Sequence, residues 1–241
     1  LERETKERQE QLSKNKALND AFNAGMQALQ AKQFDEAIAS FTKASEMDAK
    51  QHVVWAHLAD AYIGQASAKT GAEQEASMNK GLEMYVKALE VKPDEAAYHN
   101  NYALALARAK KFPEAQAELQ KAAQIDPGNA GRYYYNLGAL MVNSGQLEPA
   151  GEAFKKAIEV DPKYADAHYQ FGMYLVAKAT TTPEGKIVPP PGTREAFLKY
   201  LELRPDGPFA DSAKAMLTTL ESQIQTEYLS PEAQKKAKRK K

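Results

Sequence analysis

Residues 131–164 read GRYYYNLGALMVNSGQLEPAGEAFKKAIEVDPKY, two helix-period segments in succession. In the second, Ala150, Phe154 and Ala157 are spaced by four and then three residues, which lines up small, large and small side chains on one helix face. Pro162 follows Phe154 by eight residues. It offers no backbone donor and disfavours helix in the residue before it, so it closes the segment. In the first segment, Tyr134, Leu137 and Gly138 mark a face with room for close approach by a neighbouring backbone. A pair of helices with two apolar faces cannot bury both alone, so such a unit calls for further copies of itself.

The copies are present on both sides. EAIASFTKASEMDA (36–49), NKGLEMYVKALEVKP (79–93), EAQAELQKAAQIDP (114–127) and EAFLKYLELRP (195–205) repeat the second segment. Their triplets are Ala37, Phe41, Ala44; Gly81, Tyr85, Ala88; and Ala115, Leu119, Ala122, with Phe197 in the last copy. Pro93, Pro127 and Pro205 close them; Ala49 stands where the first copy lacks its proline. Ahead of each lies an amphipathic partner, with small residues recurring at Gly25, Ala59, Ala103, Gly138 and Gly172. An ordinary helix bundle built on alanine, the best helix former, does not account for five copies in register.

The pattern resembles the tetratricopeptide repeat, whose unit of about 34 residues carries Trp-x2-Leu-Gly-x2-Tyr and then Ala-x3-Phe-x2-Ala-x4-Pro. Trp55, Leu58, Ala59 and Tyr62 follow the first pattern. Tyr134, Leu137, Gly138, Ala150, Phe154, Ala157 and Pro162 follow both. The resemblance, of a bacterial type, implies an all-α, right-handed superhelix, an α-α solenoid of five repeats at 18–51, 52–95, 96–130, 131–164 and 165–207. Repeats two and five run about ten residues beyond the usual unit, with insertions near 64–77 and 180–193. Thr193 and Tyr200 occupy places that favour small residues, which puts the packing of the fifth repeat's second helix in question.

Flanking segments complete the plan. Residues 1–17 form a charged extension with Glu2–Lys6, Glu4–Arg8 and Glu10–Lys14 at i,i+4, the favourable order for a solvated helix. Residues 208–229 carry an apolar stripe through Phe209, Ala213, Met216, Leu217, Leu220, Ile224 and Tyr228, suited to a capping helix over the last repeat. Residues 230–241 read as a basic, disordered tail. The first insertion is small and polar and is expected to be a loop or an extra helical turn. The second holds Ile187-Val188 before three prolines and reads as stiff and polyproline-like. Its apolar pair is expected to tuck against the helices, with display to a partner as the alternative.

Composition narrows the chemistry. Lysine plus arginine (32) equals aspartate plus glutamate (32), which argues against a globally basic nucleic-acid binder, and no aromatic residue interleaves the tail to stack on bases. There are no cysteines, which excludes thiolate metal sites, disulfides and a cysteine nucleophile. No apolar run reaches the ~18–20 residues of a transmembrane segment. The motifs HExxH, GxSxG, GxGxxG and the Walker loop are absent from the sequence. His52 and His57 are five apart, not the i,i+4 of a helical metal pair, and His99 and His168 share the repeat position of Trp55 and read as packing residues. We expect no enzyme, no catalytic residue, no metal and no cofactor. Leu1 in place of methionine is expected of a processed or trimmed chain, so a removed signal peptide or upstream domain stays open. Location is left unknown, with periplasm or envelope ahead of cytoplasm.

What remains is a surface. At 100° per residue, positions 4, 7, 8 and 11 of each first helix cluster on the packing side, and positions 2, 5, 9 and 12 lie opposite. In tetratricopeptide proteins that opposite side lines the concave surface, so the resemblance implies a partner-binding groove. Its residues here are Asn19, Phe22 and Met26; Val53 and Asp60; Asn100 and Leu104; Arg132 and Tyr135; Tyr169 and Met173. Phe22 and Met26 stand where a carboxylate-clamp adaptor has lysine and asparagine, so that ligand is not carried over. The expected function is a protein–protein interaction scaffold taking a peptide segment or partner protein. The alternatives are a self-assembling module, a homo-oligomer whose groove another copy fills, and a carrier of anionic ligands through Arg132 and the tail.

Overall fold

A computed structural model describes residues 2–185 and 187–228, with side chains defined through Glu221. The expected tail at 230–241 lies outside the described residues. The chain divides into two compact units, Leu1–Pro127 and Gly128–Lys241. The first contains α1 (Glu2–Gln30), α2 (Phe34–Met47), α3 (His52–Ser67), α4 (Gly71–Val91), α5 (Ala96–Arg108) and α6 (Phe112–Ile125). The second contains α7 (Ala130–Asn143), α8 (Leu147–Val160), α9 (Ala165–Ala177), a hairpin of β1 (Thr180–Thr181) and β2 (Ile187–Val188), α10 (Thr193–Leu203) and α11 (Ala210–Tyr228). Within each unit every helix packs on the next in the chain, the arrangement of an all-α repeat solenoid.

The triplets make the cores. Ala37, Phe41 and Ala44, then Ala115, Leu119 and Ala122, then Ala150, Phe154 and Ala157 are all buried. Burial of each phenylalanine contributes about 1.5–3 kcal/mol. Gly25 and Gly138 explain the small residue on the facing helix. A Cβ added there would meet the Phe41 ring at 2.6 Å and the Phe154 ring at 2.5 Å.

Helix ends follow the prolines. α4, α6, α8 and α10 each stop two residues before Pro93, Pro127, Pro162 and Pro205, as the restricted pre-proline residue demands. α2 stops at the same place without a proline, and the Asp48 N–H still closes on the Ala44 carbonyl. A further device recurs beyond these ends. Trp55 Nε1 donates to the Ala49 carbonyl, His99 Nε2 to that of Pro93 and His168 Nε2 to that of Pro162, each at 2.8 Å. Because a carbonyl only accepts, both histidines carry a proton on Nε2. The position that reads as packing therefore also satisfies an exposed end of the preceding segment.

Short left-handed turns join the paired helices. Lys32, Lys110 and Gly145 have φ of 57°, 61° and 75°. The N–H groups of Gln33, Lys111 and Gln146 then reach back to Ala28, Leu106 and Met141, each at 2.8 Å, the Schellman pattern that satisfies late helix carbonyls. Insertions behave differently from one another. The one near 64–77 is mostly helical, lengthening α3 and α4 around a link at 68–70. The one near 180–193 is a hairpin pairing Thr180 with Val188 and Thr181 with Ile187, turned by Gly185 at φ 82°. Ile187 and Val188 are 50% and 41% exposed, so the expected tucking against the helices does not occur. Thr193 and Tyr200 are instead buried. The chain after α10 folds over the tyrosine, whose hydroxyl accepts from the Phe209 N–H at 2.9 Å.

Candidate binding face

In the first unit, α1 supplies Asn19, Phe22 and Met26. Asn19 is exposed, and the other two are half-buried. The Phe22 ring lies 5.8 Å from both Phe41 and His57, so it is partly held by the core. On α3, Val53 is exposed and Asp60 half-buried. Tyr85, buried on α4, donates its hydroxyl to Asp60 Oδ1. Burial, and then the Asp60 charge, hold that phenol well above its ordinary range. His57 Nδ1 stands 3.4 Å from Asp60 Oδ2 without forming a hydrogen bond.

α5 lies beside α3 in this face. A cleft of about 330 Å³ opens between them, lined by Asp60, Ile63, Gly64, Tyr85, Asn101, Leu104, Ala105 and Arg108. Two of the sequence-derived residues, Asp60 and Leu104, thus meet in one cleft. Asn100 sits beside it and donates to Asn101 Oδ1 at 3.1 Å. Arg108 is exposed, and among the described residues it has no ion pair. At the start of the same helix, the Tyr98 hydroxyl and His52 Nδ1 are 2.7 Å apart. Burial raises the Tyr98 phenol, helped by the charges of Glu95 and Asp60. Below this face, His99 Nδ1 and Glu118 Oε2 form a buried 2.5 Å contact that ties α5 to α6, and Lys121 shares the carboxylate at 2.7 Å.

Arg108 and Asn101 were missed by reading positions 2, 5, 9 and 12 alone. On the helical wheel they fall just past one edge of that arc, so a wider arc includes them. Tyr85 belongs to a second helix, where the triplet reading assigned it to packing; its hydroxyl reaching Asp60 has no sequence signal.

In the second unit, Arg132 is exposed, with its guanidinium 5.5 Å from the Tyr133 ring centre. Tyr135 is half-buried, edge-on to Tyr164 at 5.2 Å and tilted against Phe154 at 5.8 Å. Burial raises its phenol, while a hydrogen bond with Gln170 works the other way. Tyr169 requires a correction. It is 7% exposed, stacked at 4.4 Å on Phe209, and its hydroxyl pairs with Ser212 Oγ at 2.7 Å. The segment leading into α11 covers it, so it is a core residue and no part of an open face. Met173 is partly buried against the same cluster.

Among the described residues, no group of three His, Cys, Asp or Glu side chains is placed to hold a metal ion. No described helix is long and apolar enough to cross a membrane. The geometry offers mixed apolar and polar contact surface.

Models of the tetratricopeptide repeat match residues 21–51, 79–130 and 131–164. These segments are tetratricopeptide repeats. Among solved structures it is similar to MamA 41-end from Desulfovibrio magneticus RS-1, at 19% identity over 80% of this chain and 97% of that one, with a TM-score of 0.56. It is also similar to pilF of Pseudomonas aeruginosa, at 18% identity over 95% and 100% of the two chains, with a TM-score of 0.55. YrrB, described as a tetratricopeptide protein with an unusual peptide-binding site, shares 21% identity over 86% and 97%, with a TM-score of 0.53. These likenesses show the fold. Among curated proteins, small glutamine-rich tetratricopeptide repeat-containing protein 2 of Mycosarcoma maydis is 36% identical over 34% of this chain and 23% of its own length. Heat shock protein STI1 of Saccharomyces cerevisiae is 32% identical over 43% and 17%. The chain spans about a quarter or less of the length of these relatives. Its repeats are of the kind that supports a protein–protein interaction scaffold.

Proposed function

We propose that this chain is a non-enzymatic scaffold that holds a peptide segment of a partner against the first helices of its repeats. The first unit provides the main contact. The observation that carries this reading is the cleft between α3 and α5, where apolar Ile63 and Leu104 lie beside Asp60, Asn101 and Arg108. A peptide needs apolar area for affinity and a few polar groups to fix its backbone. Asn101 has its amide oxygen occupied by Asn100, which leaves its amide N–H groups to donate, together with Arg108, to peptide carbonyls. Phe22, Met26 and Val53 extend the apolar surface. In the second unit, Arg132 and Tyr135 offer a smaller patch of the same character, while Tyr169 serves the core.

Photo-crosslinking tests the reading. A photoreactive residue at Leu104 should give discrete adducts with partner protein in host extract, and one at exposed Glu83 on α4 should not. Equal labelling from both positions, or none from Leu104, would overturn it.

A further inference from the structure

The α3–α5 face carries charges that, among the described residues, no lysine or arginine of the fold pairs with, in a definite order. Glu95, at the start of α5, has no ion pair among the described residues, and neither has Asp60 Oδ2 beyond the 3.4 Å approach of His57. Tyr98 stands at the Glu95 end of α5, its phenol raised by burial first and then by the charges of Glu95 and Asp60. Arg108, at the other end of α5, is exposed and has no ion pair among the described residues. Along the helix the order is minus at Glu95, minus at Asp60 beside the middle, and plus at Arg108. From Glu95 to Arg108 the helix rises about 20 Å.

The most basic stretch of the sequence carries the reverse order. Residues 231–241, PEAQKKAKRKK, place Glu232 ahead of Lys235, Lys236 and Lys238, with further basic residues after them. An extended chain covers about 20 Å from Glu232 to Lys238. We infer that the α3–α5 face of one copy docks residues 231–241 of a second copy, with Glu232 at Arg108 and the lysines at Asp60 and Glu95. Lysine stems then lie on Leu104 and the Tyr98 ring, which suits their apolar length and charged heads. Asn101 takes a main-chain carbonyl between them. This rests on the α3–α5 cleft being the contact face, and it names the occupant as the protein itself.

The full-length chain tests it by sedimentation and light scattering across concentration. Association should be present at about 0.05 M salt and fall steeply by about 0.5 M, where screening is short-ranged. Asp60→Asn with Glu95→Gln should weaken it about tenfold or more, with helicity and melting retained, because an asparagine can still accept from Tyr85. Lys235→Glu with Lys236→Glu and Lys238→Glu should weaken it similarly. Mixing that variant with Asp60→Lys, Glu95→Lys protein should restore association. A synthetic PEAQKKAKRKK peptide in excess should disperse the native assembly.

A chain that stays monomeric at low salt overturns the inference, as does association indifferent to the Asp60 and Glu95 changes or a charge swap that fails to rescue. If Leu104 still crosslinks another protein in any of these cases, the scaffold reading stands and only its homotypic occupant falls. If Leu104 gives no adducts at all, both fall.

Discussion

Tyr135 and Tyr169 occupy the same position of consecutive repeats, on α7 and α9, and meet different fates. Tyr135 stays half-buried, leaning on Phe154 and Tyr164. Tyr169 is sealed by Phe209 and bonded to Ser212. Repeat register decides the direction in which a side chain leaves its helix. Whether that direction ends in solvent depends on what the chain places over it. Here the turn before α11 lies across the α9 face, so that face is covered on the side opposite the packing side as well.

The widest gap between the two is in stability. Tyr169→Ala should lower the unfolding free energy by about 3–5 kcal/mol, as buried aromatic truncations do, and Tyr135→Ala by about 1–2 kcal/mol, since a half-buried ring loses less area. Urea unfolding of the two single variants measures this. Equal losses would mean that α11 does not hold the α9 face closed. A loss of partner capture in Tyr169→Ala therefore reports on folding and carries no information about a groove.

The same contrast explains what was legible in the sequence. The triplets, the closing prolines and the small residues at Gly25 and Gly138 all encode contacts between helices a fixed distance apart in the chain, so periodicity exposes them. Trp55, His99 and His168 were readable as inward-facing, but not as donors to Ala49, Pro93 and Pro162, because that bond depends on how the chain turns between repeats. The apolar stripe after 208 read as a helix with one face to bury, and α11 packs on α10. Nothing in it announced that Phe209 would stack on Tyr169. Ile187 and Val188 were misjudged for a related reason: two β-branched residues beside prolines suit an exposed hairpin as well as a docked loop, and Gly185 supplies the turn that decides it. At the cleft, Asp60 and Leu104 came from the helical wheel, whereas Tyr85 arrived from a second helix whose hydroxyl no periodicity describes.

A smaller difference separates the glycines that face the large rings. A Cβ at Gly138 would stand 2.5 Å from Phe154, and one at Gly172 would stand 3.0 Å from Phe197. Gly138→Ala should therefore be a net loss of about 1–2 kcal/mol, overpacking outweighing the helix propensity that alanine adds. Gly172→Ala should come out closer to neutral. Thermal unfolding of both variants ranks them, and the reverse order would show that the α9–α10 crossing is the tighter one.

The smallest effect lies in the turns, where the two units solve one problem with different residues. Lys110 in the first and Gly145 in the second both adopt the left-handed conformation, at φ 61° and 75°. Each precedes an N–H that reaches back to a late carbonyl of the preceding helix, from Lys111 to Leu106 and from Gln146 to Met141. A side chain in that conformation costs about 1–2 kcal/mol, and glycine avoids the cost while giving back part of it as chain entropy. Lys110→Gly should thus stabilise the protein by about 0.5 kcal/mol, and Gly145→Ala should destabilise it by about 1 kcal/mol. Opposite shifts in the denaturant midpoint, with unchanged slope, would confirm that backbone strain alone separates the two turns. A loss in both variants would instead assign the Lys110 side chain a stabilising contact that outweighs its strained backbone.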